Sequence, residues 1–358
     1  MSSPTPSRRV KYGRLGNSGL KVSEIILGCM SYGSSGWRPW TLDEEDAIKH
    51  IKYAYDAGIQ TFDTANMYSN GMSEVVLGNA IRKLQLPREE IVVMTKVRHP
   101  VGKTIDVNPL ELFLAGPDNR GYVNQHGLSR KHILASVQDS LRRLQLDYID
   151  LLHCHRFDYD TPIAETMQAL HDVVQAGYVR YIGMSSCHAW QCASRHAKLR
   201  NQHNLTPFCA MQNHYNLLYR EEEREMMPSL KHFGVGSIPW SPLARGALTR
   251  PASTAGTEIK TLRQGTDELP PDTYFRMGAG STDIVNRVEE VARKHGATMA
   301  QVSLAWLMAK EGVTAPIVGT TSLEKLEDLL GALDVKLTAE DMKYMEEPYK
   351  AMEIFMYN

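Results

Sequence analysis

The sequence predicts an α/β fold in which eight parallel strands alternate with helices and close into a (β/α)8 TIM barrel. Short apolar runs alternate with helical patterns along most of the chain. There are eight such runs, the number that closes a parallel barrel through right-handed crossovers. A doubly wound open sheet is the alternative. It would need a GxGxxG turn leading from the first strand into a helix, and GCMSYGSSG does not lead straight into one.

The elements follow in a regular order, beginning with a β-hairpin over Lys11–Val22 that turns at Gly16–Gly19. The barrel strands are expected at Ser23–Gly28, Ile59–Asp63, Ile91–Lys96, Tyr148–Leu152, Val179–Met184, Phe208–Gln212, Val235–Trp240 and Val313–Val318. The helices are expected at Asp43–Ala57, Ser73–Leu84, Ser129–Leu144, Ile163–Ala176, Ala189–Leu199, Arg220–Phe233, Thr282–Lys294, Thr298–Lys310 and Ser322–Leu330. We therefore expect a single barrel domain over residues 1–358, with a disordered tail at residues 1–10.

Two polar stretches interrupt this alternation, Arg98–Gly127 and Thr249–Ser281. Both follow a strand, and the loops after barrel strands lie on the carboxyl face, where the active sites of such barrels are built. Loops of this length are usually lids or binding loops, and a tolerated insertion is the alternative. The sequence therefore predicts long loops at the functional face.

Composition excludes several classes of partner. The 40 Lys and Arg residues balance 41 Asp and Glu residues, a net charge of -1, so no basic excess is available for nucleic acid or an anionic membrane. No segment approaches the roughly 18 apolar residues that span a bilayer, and the start of the chain has no apolar leader. The five cysteines form no CxxC pair, which favours reduced thiols and a cytoplasmic protein. We expect a small-molecule partner, and the sequence gives no signal for an oligomeric state.

Four reactive side chains follow the second, third and fourth predicted barrel strands: Asp63, Tyr68, Lys96 and His155. A lysine that closes an apolar strand inside a barrel needs an acidic partner, and Asp63 is the natural one. Barrel closure would bring all four together. A metal site at His153, Cys154 and His155 is not expected, because successive residues of a strand face opposite ways, so Cys154 points away from the two histidines, and no other His or Cys cluster completes a tetrahedron.

These residues lie in motifs that resemble the aldo-keto reductase family from Tyr12 to about Pro348. The shared elements are D-T-A-x-x-Y, a strand-ending T-K, L-x-x-H-R-x-D, I-G-x-S, Q-x-x-Y-N, W-S-P-L-A-R-G and a final P-I-V-G. Within the family, CMSYGSSGW and QNHYNLLYREEEREM are similar to a fungal branch that includes versiconal hemiacetal acetate reductases and aryl-alcohol dehydrogenases. The resemblance implies reduction of an aldehyde or ketone with NADPH, on an aromatic or polyketide-type substrate of fungal secondary metabolism.

The resemblance also implies a role for each of the four side chains. Tyr68 would be the general acid, Lys96 the cation that eases its ionisation, Asp63 the partner of Lys96, and His155 an orienting hydrogen-bond group. An adjacent ammonium favours a phenolate, so we expect Lys96 to lower the pKa of Tyr68. More distant channel β subunits share the barrel but often lack this His. A redox-sensing subunit that binds NADPH and turns over poorly is therefore the alternative that the intact set disfavours.

The positions that match the family's cofactor site are numerous. Trp240 would stack on the nicotinamide, with Ser185 and Gln212 on its amide. The set is completed by Gly28, Cys29, Met30, Asp63, Ser186, Ser241, Leu243, Arg245, Gly246, Arg263, Gly319, Thr321, Lys325 and Asp328. In GTTSLEKLEDLL a strand leads into a helix, whose start attracts an anion, and the resemblance makes this the 2′-phosphate site with Lys325 as its cation.

Two further expectations concern the adenine contact and the substrate pocket. Leu329 stands where many relatives have an Asn that contacts adenine, so one adenine contact is in question. An apolar substrate wall is expected from residues on or beside the carboxyl-face loops, with packing beneath the loops as the alternative. These residues are Tyr32, Trp37, Trp40 and Met67.

Overall fold

The computed structural model describes residues 10–193, 204–254, 262–266 and 272–354. The expected tail therefore lies outside the described residues except for Val10, which is buried. The helix expected at Ala189–Leu199 begins at Ala189 and is described as far as Ala193; the rest of that span also lies outside. None of the helices in the described ranges is long and apolar enough to cross a membrane.

A β-hairpin comes first, as predicted, with β1 (Tyr12–Arg14) antiparallel to β2 (Lys21–Ser23). From the hairpin, Leu15 and Val22 are fully buried against residues of the barrel strands. This apolar contact closes one end of the barrel and leaves the carboxyl ends of the strands available for a site.

Eight parallel strands form the barrel, which confirms the predicted fold. They are β3 (Ile26–Gly28), β4 (Thr61–Asp63), β5 (Val92–Val97), β6 (Ile149–Cys154), β7 (Val179–Ser185), β8 (Phe208–Gln212), β9 (Gly236–Ser237) and β10 (Ile317–Val318). Sheet order runs β10-β3-β4-β5-β6-β7-β8-β9. The two edges meet where the carbonyl oxygen of Ser237 accepts from the amide of Thr314 at 2.7 Å, beside a parallel bridge from Ser237 to Val313.

The helices agree with the predicted order. They span Glu44–Asp56, Met72–Lys83, Arg130–Leu144, Ile163–Gln175, Ala189–Ala193, Met226–Phe233, Ser281–His295, Met299–Ala309, Leu323–Leu330 and Ala339–Glu346. The last of these was not predicted and begins at a capping box between Thr338 and Asp341.

The predicted helix Arg220–Phe233 is wrong in its first half, where the structure has a 3-10 turn at Glu221–Glu223. Buried side chains explain the break. The Glu221 carboxylate accepts from the Tyr349 hydroxyl and the Met352 amide, and Glu222 accepts from Asn213. A regular helix would turn one of these carboxylates away from its partners.

Both long loops carry short helices of their own. The segment after β5 contains Pro109–Ala115, and the segment after β9 contains Leu262–Thr266 and Asp272–Met277. Asn70 ties the first loop to the turn after β4, because its Nδ2 donates to the carbonyl of Val107 at 2.9 Å and its Oδ1 accepts from Gly102 at 3.1 Å. The loop is thereby fixed at the carboxyl face.

Gly78 marks the closest approach between two outer helices, and we expect it to tolerate no side chain. A Cβ at this position would lie 2.3 Å from the carbonyl oxygen of Leu144, which belongs to the backbone of the neighbouring helix. Gly78→Ala should therefore destabilise the fold by about 1–3 kcal/mol in urea unfolding, despite the better helix propensity of alanine.

Gly19→Ala is the matched control, since the nearest atom to its Cβ would be 3.8 Å away. It should change stability by no more than about 0.5 kcal/mol. Equal stability of the two variants would contradict the close packing inferred at Gly78.

Candidate active site

Parallel register brings the functional strand ends together at one face. Gly28 pairs with Asp63 across β3 and β4, and Lys96 pairs with His153 across β5 and β6. Residues just beyond these pairs therefore share one mouth of the barrel, as the sequence predicted.

Lys96 and Asp63 form a buried ion pair at this mouth. Lys96 Nζ lies 2.6 Å from Asp63 Oδ2 and also donates to the carbonyl of Thr64 at 2.8 Å. The other carboxylate oxygen of Asp63 accepts from Gln212 Nε2 at 2.9 Å. Burial by itself would lower the pKa of Lys96, but Asp63 and Tyr68 raise it above its ordinary value, so the ammonium stays charged.

The third donor contact of Lys96 is to the Tyr68 hydroxyl, at 3.2 Å. The sequence predicts that this ammonium lowers the pKa of Tyr68, but the net direction is the opposite. Burial raises the pKa of the phenol, and the lowering by Lys96 only partly offsets it. The hydroxyl therefore stays protonated at neutral pH and hydrogen-bonded to a cation.

A strained turn sets the position of Tyr68. The two residues after it, Ser69 and Asn70, both have left-handed backbones, with φ of 51° and 47°. Such a conformation costs roughly 1 kcal/mol or more per non-glycine residue and persists only where neighbours enforce it. Here the Ser69 hydroxyl accepts from the Ser34 amide at 2.9 Å, and Asn70 bonds to the loop after β5.

His155 completes the group of four. Its ring contacts that of Tyr68 edge to face at 5.7 Å and that of His99 at 4.9 Å. Burial, His99 and Arg156 hold the pKa of His155 well below its usual range, so the imidazole is neutral. Its Nδ1 is buried without a partner and no described residue bonds its Nε2, which leaves this ring able to contact a ligand.

Trp240 lies at the edge of the same mouth in a column of rings. His214 stacks between Trp240 and Tyr219, with centroids 4.4 Å from each, and the hydroxyl of Tyr274 bonds to His214 Nε2 at 2.7 Å. Trp240 Nε1 donates to the hydroxyl of Ser186 at 3.1 Å. The indole is therefore held in one orientation, as a flat surface for a planar ring requires.

The two residues expected on an amide are next to this indole. Ser185 Oγ donates to the backbone carbonyl of Gln212 at 2.8 Å, and both side chains are buried. No described residue donates to Gln212 Oε1, so an acceptor remains for a carboxamide. These donors and acceptors fit a nicotinamide.

The loop after β9, where the sequence predicts cofactor contacts, has a left-handed backbone. Ser241, Ala244, Arg245 and Gly246 all adopt positive φ, between 48° and 100°. The amides of Ala244 and Gly246 donate within this turn, to the carbonyls of Ser241 and Leu243 at 3.0 and 2.9 Å. The sequence-predicted residues Ser241, Leu243, Arg245 and Gly246 are all partly exposed there.

The start of helix Leu323–Leu330 is where the sequence predicts the 2′-phosphate site. Thr321 and Lys325 are exposed, and no described residue bonds the Lys325 ammonium. Asp328, also predicted to bind the cofactor, instead accepts from Thr298 and Gln301 at 3.0 and 2.9 Å. Leu329 is buried against the core, so this departure from the family pattern contributes packing.

The end of β3 and the loop that follows it bring Gly28, Cys29 and Met30 beside β10 and β4. A Cβ on Gly28 would lie 2.9 Å from Ile317, and one on Gly319 would lie 3.7 Å from the Gly28 carbonyl. The Cys29 amide donates to the Asp63 carbonyl at 2.7 Å, and burial raises the pKa of its thiol. Of these three residues, only Met30 is partly exposed.

The expected substrate wall divides into two parts. Tyr32 is fully buried and its hydroxyl lies 3.3 Å from His50 Nδ1, so it packs beneath the loop. Trp37 and Met67 are half-buried, and Trp37 meets Trp40 edge to face at 6.3 Å. Arg263 lies over the Trp40 ring at 4.4 Å, which connects the loop after β9 to this wall.

The same mouth holds residues to which the sequence analysis gave no role: His99, Arg156 and His214. His214 and Arg156 occur inside the quoted motifs, Q-N-H-Y-N and H-R-x-D, directly beside assigned residues. His153 is buried with both ring nitrogens unpartnered, and burial lowers its pKa to about 3. Within the described part of the chain, no three His, Cys, Asp or Glu side chains form a group that could hold a metal ion.

Comparison with known proteins agrees with the resemblance found in the sequence. The sequence model of the aldo/keto reductase family matches residues 24–350. A Schizosaccharomyces pombe protein provisionally named an aryl-alcohol dehydrogenase is 48% identical, over 98% of this chain and 97% of its own length. The versiconal hemiacetal acetate reductase of Aspergillus parasiticus is 45% identical over 95% and 97%, and an aldo-keto reductase of Alternaria alternata is 45% identical over 96% and 92%.

Removing one partner of the Lys96–Asp63 ion pair should destabilise the fold. Lys96→Met leaves the buried Asp63 carboxylate without its cation, so we expect a loss of about 3–5 kcal/mol in urea unfolding. Adding Asp63→Asn removes the uncompensated charge and should restore part of that loss.

Lys49→Met serves as the control, because the Lys49–Asp46 pair is exposed and such pairs contribute about 1 kcal/mol or less. A single variant Lys96→Met as stable as Lys49→Met, or a double variant less stable than Lys96→Met alone, would argue against a buried ion pair.

Proposed function

Because the chain belongs to the aldo/keto reductase family, we propose that it reduces an aldehyde or ketone to the alcohol with NADPH, with Tyr68 as the proton donor. The observation that carries the proposal is the contact of Lys96 with both Asp63 and the Tyr68 hydroxyl, beside the Trp240 indole. Names of the relatives support an aromatic or polyketide-type carbonyl substrate and a role in secondary metabolism. We place the activity in the cytoplasm, in keeping with five buried cysteines that form no disulfide.

The nicotinamide, when bound, supplies the hydride, and the chain's residues manage the proton and the charge. Tyr68 keeps its proton until negative charge develops on the substrate oxygen, because burial raises the pKa of the phenol. Lys96 then stabilises the phenolate left behind, since its ammonium is 3.2 Å from that oxygen. Asp63 holds the ammonium in place through the 2.6 Å contact.

His155 contributes a hydrogen bond and not a charge. Its neutral imidazole contacts the Tyr68 ring, so its free nitrogen can orient the carbonyl oxygen toward the hydroxyl. This arrangement favours an enzyme over the redox-sensing subunit that is the rival proposal.

The predicted cofactor residues would each contact a different part of NADPH. Trp240 and Gln212 would hold the nicotinamide, the left-handed loop at Arg245 the pyrophosphate, and Gly319, Thr321 and Lys325 the 2′-phosphate. The free Lys325 ammonium at a helix start supports NADPH over NADH, because it would meet the charge that only NADPH carries.

The first test of this function uses the wild-type protein and Tyr68→Phe. Wild type should oxidise NADPH in the presence of 4-nitrobenzaldehyde, measured as loss of nicotinamide absorbance against a boiled control. Tyr68→Phe removes one hydroxyl and should lower turnover by about 10²-fold or more, while the Kd for NADPH stays within a few-fold.

Tyr178→Phe is the matched control, since Tyr178 is 38% exposed at the other end of the barrel, just before β7. No turnover by wild type would favour the redox-sensing subunit. Near wild-type turnover by Tyr68→Phe would show that the proton comes from another group.

Cofactor choice is tested at Lys325. Lys325→Ala should weaken NADPH binding by about 1.5–3 kcal/mol and leave NADH nearly unchanged, because a charge-assisted contact to the 2′-phosphate is lost. Fluorescence quenching titrations measure both affinities. Lys336→Ala, another exposed lysine, should change neither; equal losses for both nucleotides in Lys325→Ala would remove the assignment.

A further inference from the structure

Arg156 is a half-buried guanidinium at the mouth of the barrel that lacks a carboxylate partner. Its Nη1 donates to the backbone carbonyl of His155 at 2.7 Å, and no acid among the described residues forms an ion pair with it. Two other shielded arginines are paired, Arg88 with Asp150 at 2.6 Å and Arg143 with Glu74 at 2.6 Å, whereas the half-buried Arg98 also forms no ion pair with a described acid. Shielding an arginine without an anion is costly, which indicates that one is supplied from outside.

The surroundings of Arg156 add positive charge. Arg98 and Arg245 both act on it as like charges, and burial together with these neighbours lowers its pKa to about 10. The guanidinium is therefore still charged at neutral pH. Its neighbours His99 and His155 are neutral, since burial holds their pKa values well below the usual range.

The position of this charge is close to the reacting groups. Arg156 directly follows His155 beyond β6, and its Cζ lies 5.7 Å from the Trp240 ring centroid. Its charge also acts on the Tyr68 hydroxyl. The guanidinium thus lies within reach of a molecule whose carbonyl oxygen contacts Tyr68 and His155.

We propose that Arg156 binds a carboxylate on the carbonyl substrate, so that this chain prefers aldehydes or ketones carrying an anionic group. The inference rests on the proposed function, because it assumes that a carbonyl substrate is bound at Tyr68. A planar guanidinium with free N–H donors matches a carboxylate in two parallel hydrogen bonds. The half-buried Trp37 and Met67 would contact the apolar body of the same molecule.

A cofactor phosphate is the competing source of negative charge. The two expected phosphate sites have cations of their own, Arg245 in the loop after β9 and Lys325 at a helix start. Arg156 instead belongs to the loop after β6 and adjoins the proton donor, where the substrate carbonyl is expected. This placement favours a group on the substrate.

The test compares two matched aldehydes, 4-carboxybenzaldehyde and methyl 4-formylbenzoate, which differ in one negative charge; the 2- and 3-carboxy isomers extend the pair. Wild type should show a higher kcat/KM for at least one carboxylate than for its ester, by roughly 10-fold or more. Arg156→Gln should abolish that preference and retain turnover of the ester. Arg180 lies near the start of β7, at the other end of the barrel from Arg156. Arg180→Gln is therefore the control and should keep the preference for the carboxylate.

Three outcomes would overturn the proposal: no preference for any carboxylate in wild type, equal losses on acid and ester in Arg156→Gln, or a large loss of NADPH affinity in that variant. The second would mean that Arg156 acts through Tyr68, and the third that it binds a cofactor phosphate.

A binding titration tests the carboxylate site without requiring turnover of the substrate. Binding of 4-carboxybenzaldehyde should quench the fluorescence of the nearby Trp240, and Arg156→Gln should weaken that binding roughly 10-fold while urea unfolding stays near wild type. If neither aldehyde is turned over, the proposed function fails. If no saturable, Arg156-dependent binding is seen, the carboxylate site fails.

Discussion

The buried ion pair between Lys96 and Asp63 is the constraint on which the mouth of the barrel depends. An ammonium in an apolar strand is tolerated only with its charge compensated, so β4 must lie beside β5, where Asp63 is in register with Met94, two residues before Lys96. That requirement places Tyr68 against Lys96 from one side and Gln212 against Asp63 from the other. One electrostatic contact thereby connects the proposed proton donor to the proposed amide site.

Rigid strands alone do not produce this arrangement, because the loops that follow them carry strained backbones. Left-handed residues occur beside several candidate site residues, at Ser69 and Asn70 after Tyr68 and at Ser186 after Ser185. Hydrogen bonds from outside each turn hold this strain, as the Asn213 side chain does for the Ser186 amide at 3.0 Å. The strained residues that set the geometry of the mouth thus lower the stability of the fold.

Most of the barrel and the four central side chains could be predicted from the sequence, since strand periodicity and strand-end motifs are local signals. The helix expected at Arg220–Phe233 could not, because its interruption depends on distant partners of Glu221 and Glu222. Lys96 lowers the pKa of Tyr68, as the sequence predicts, but burial, which was not part of the local argument, outweighs it. His214 and Arg156 lay within recognised motifs, yet their stacking and lack of an acid partner are three-dimensional properties.

The ionisable groups at the mouth are of two kinds, permanent cations and neutral imidazole rings. Lys96 and Arg156 remain charged at neutral pH, whereas burial keeps His99 and His155 neutral well below it. An imidazole without a proton to give is a poor acid at this pH, which leaves the Tyr68 phenol as the group able to donate one. Because its pKa is raised, that phenol keeps its proton above neutrality, and the adjacent Lys96 lowers the energy of the anion formed when the proton leaves. The same burial that makes the phenol a weak acid at rest therefore strengthens the interaction that assists its ionisation.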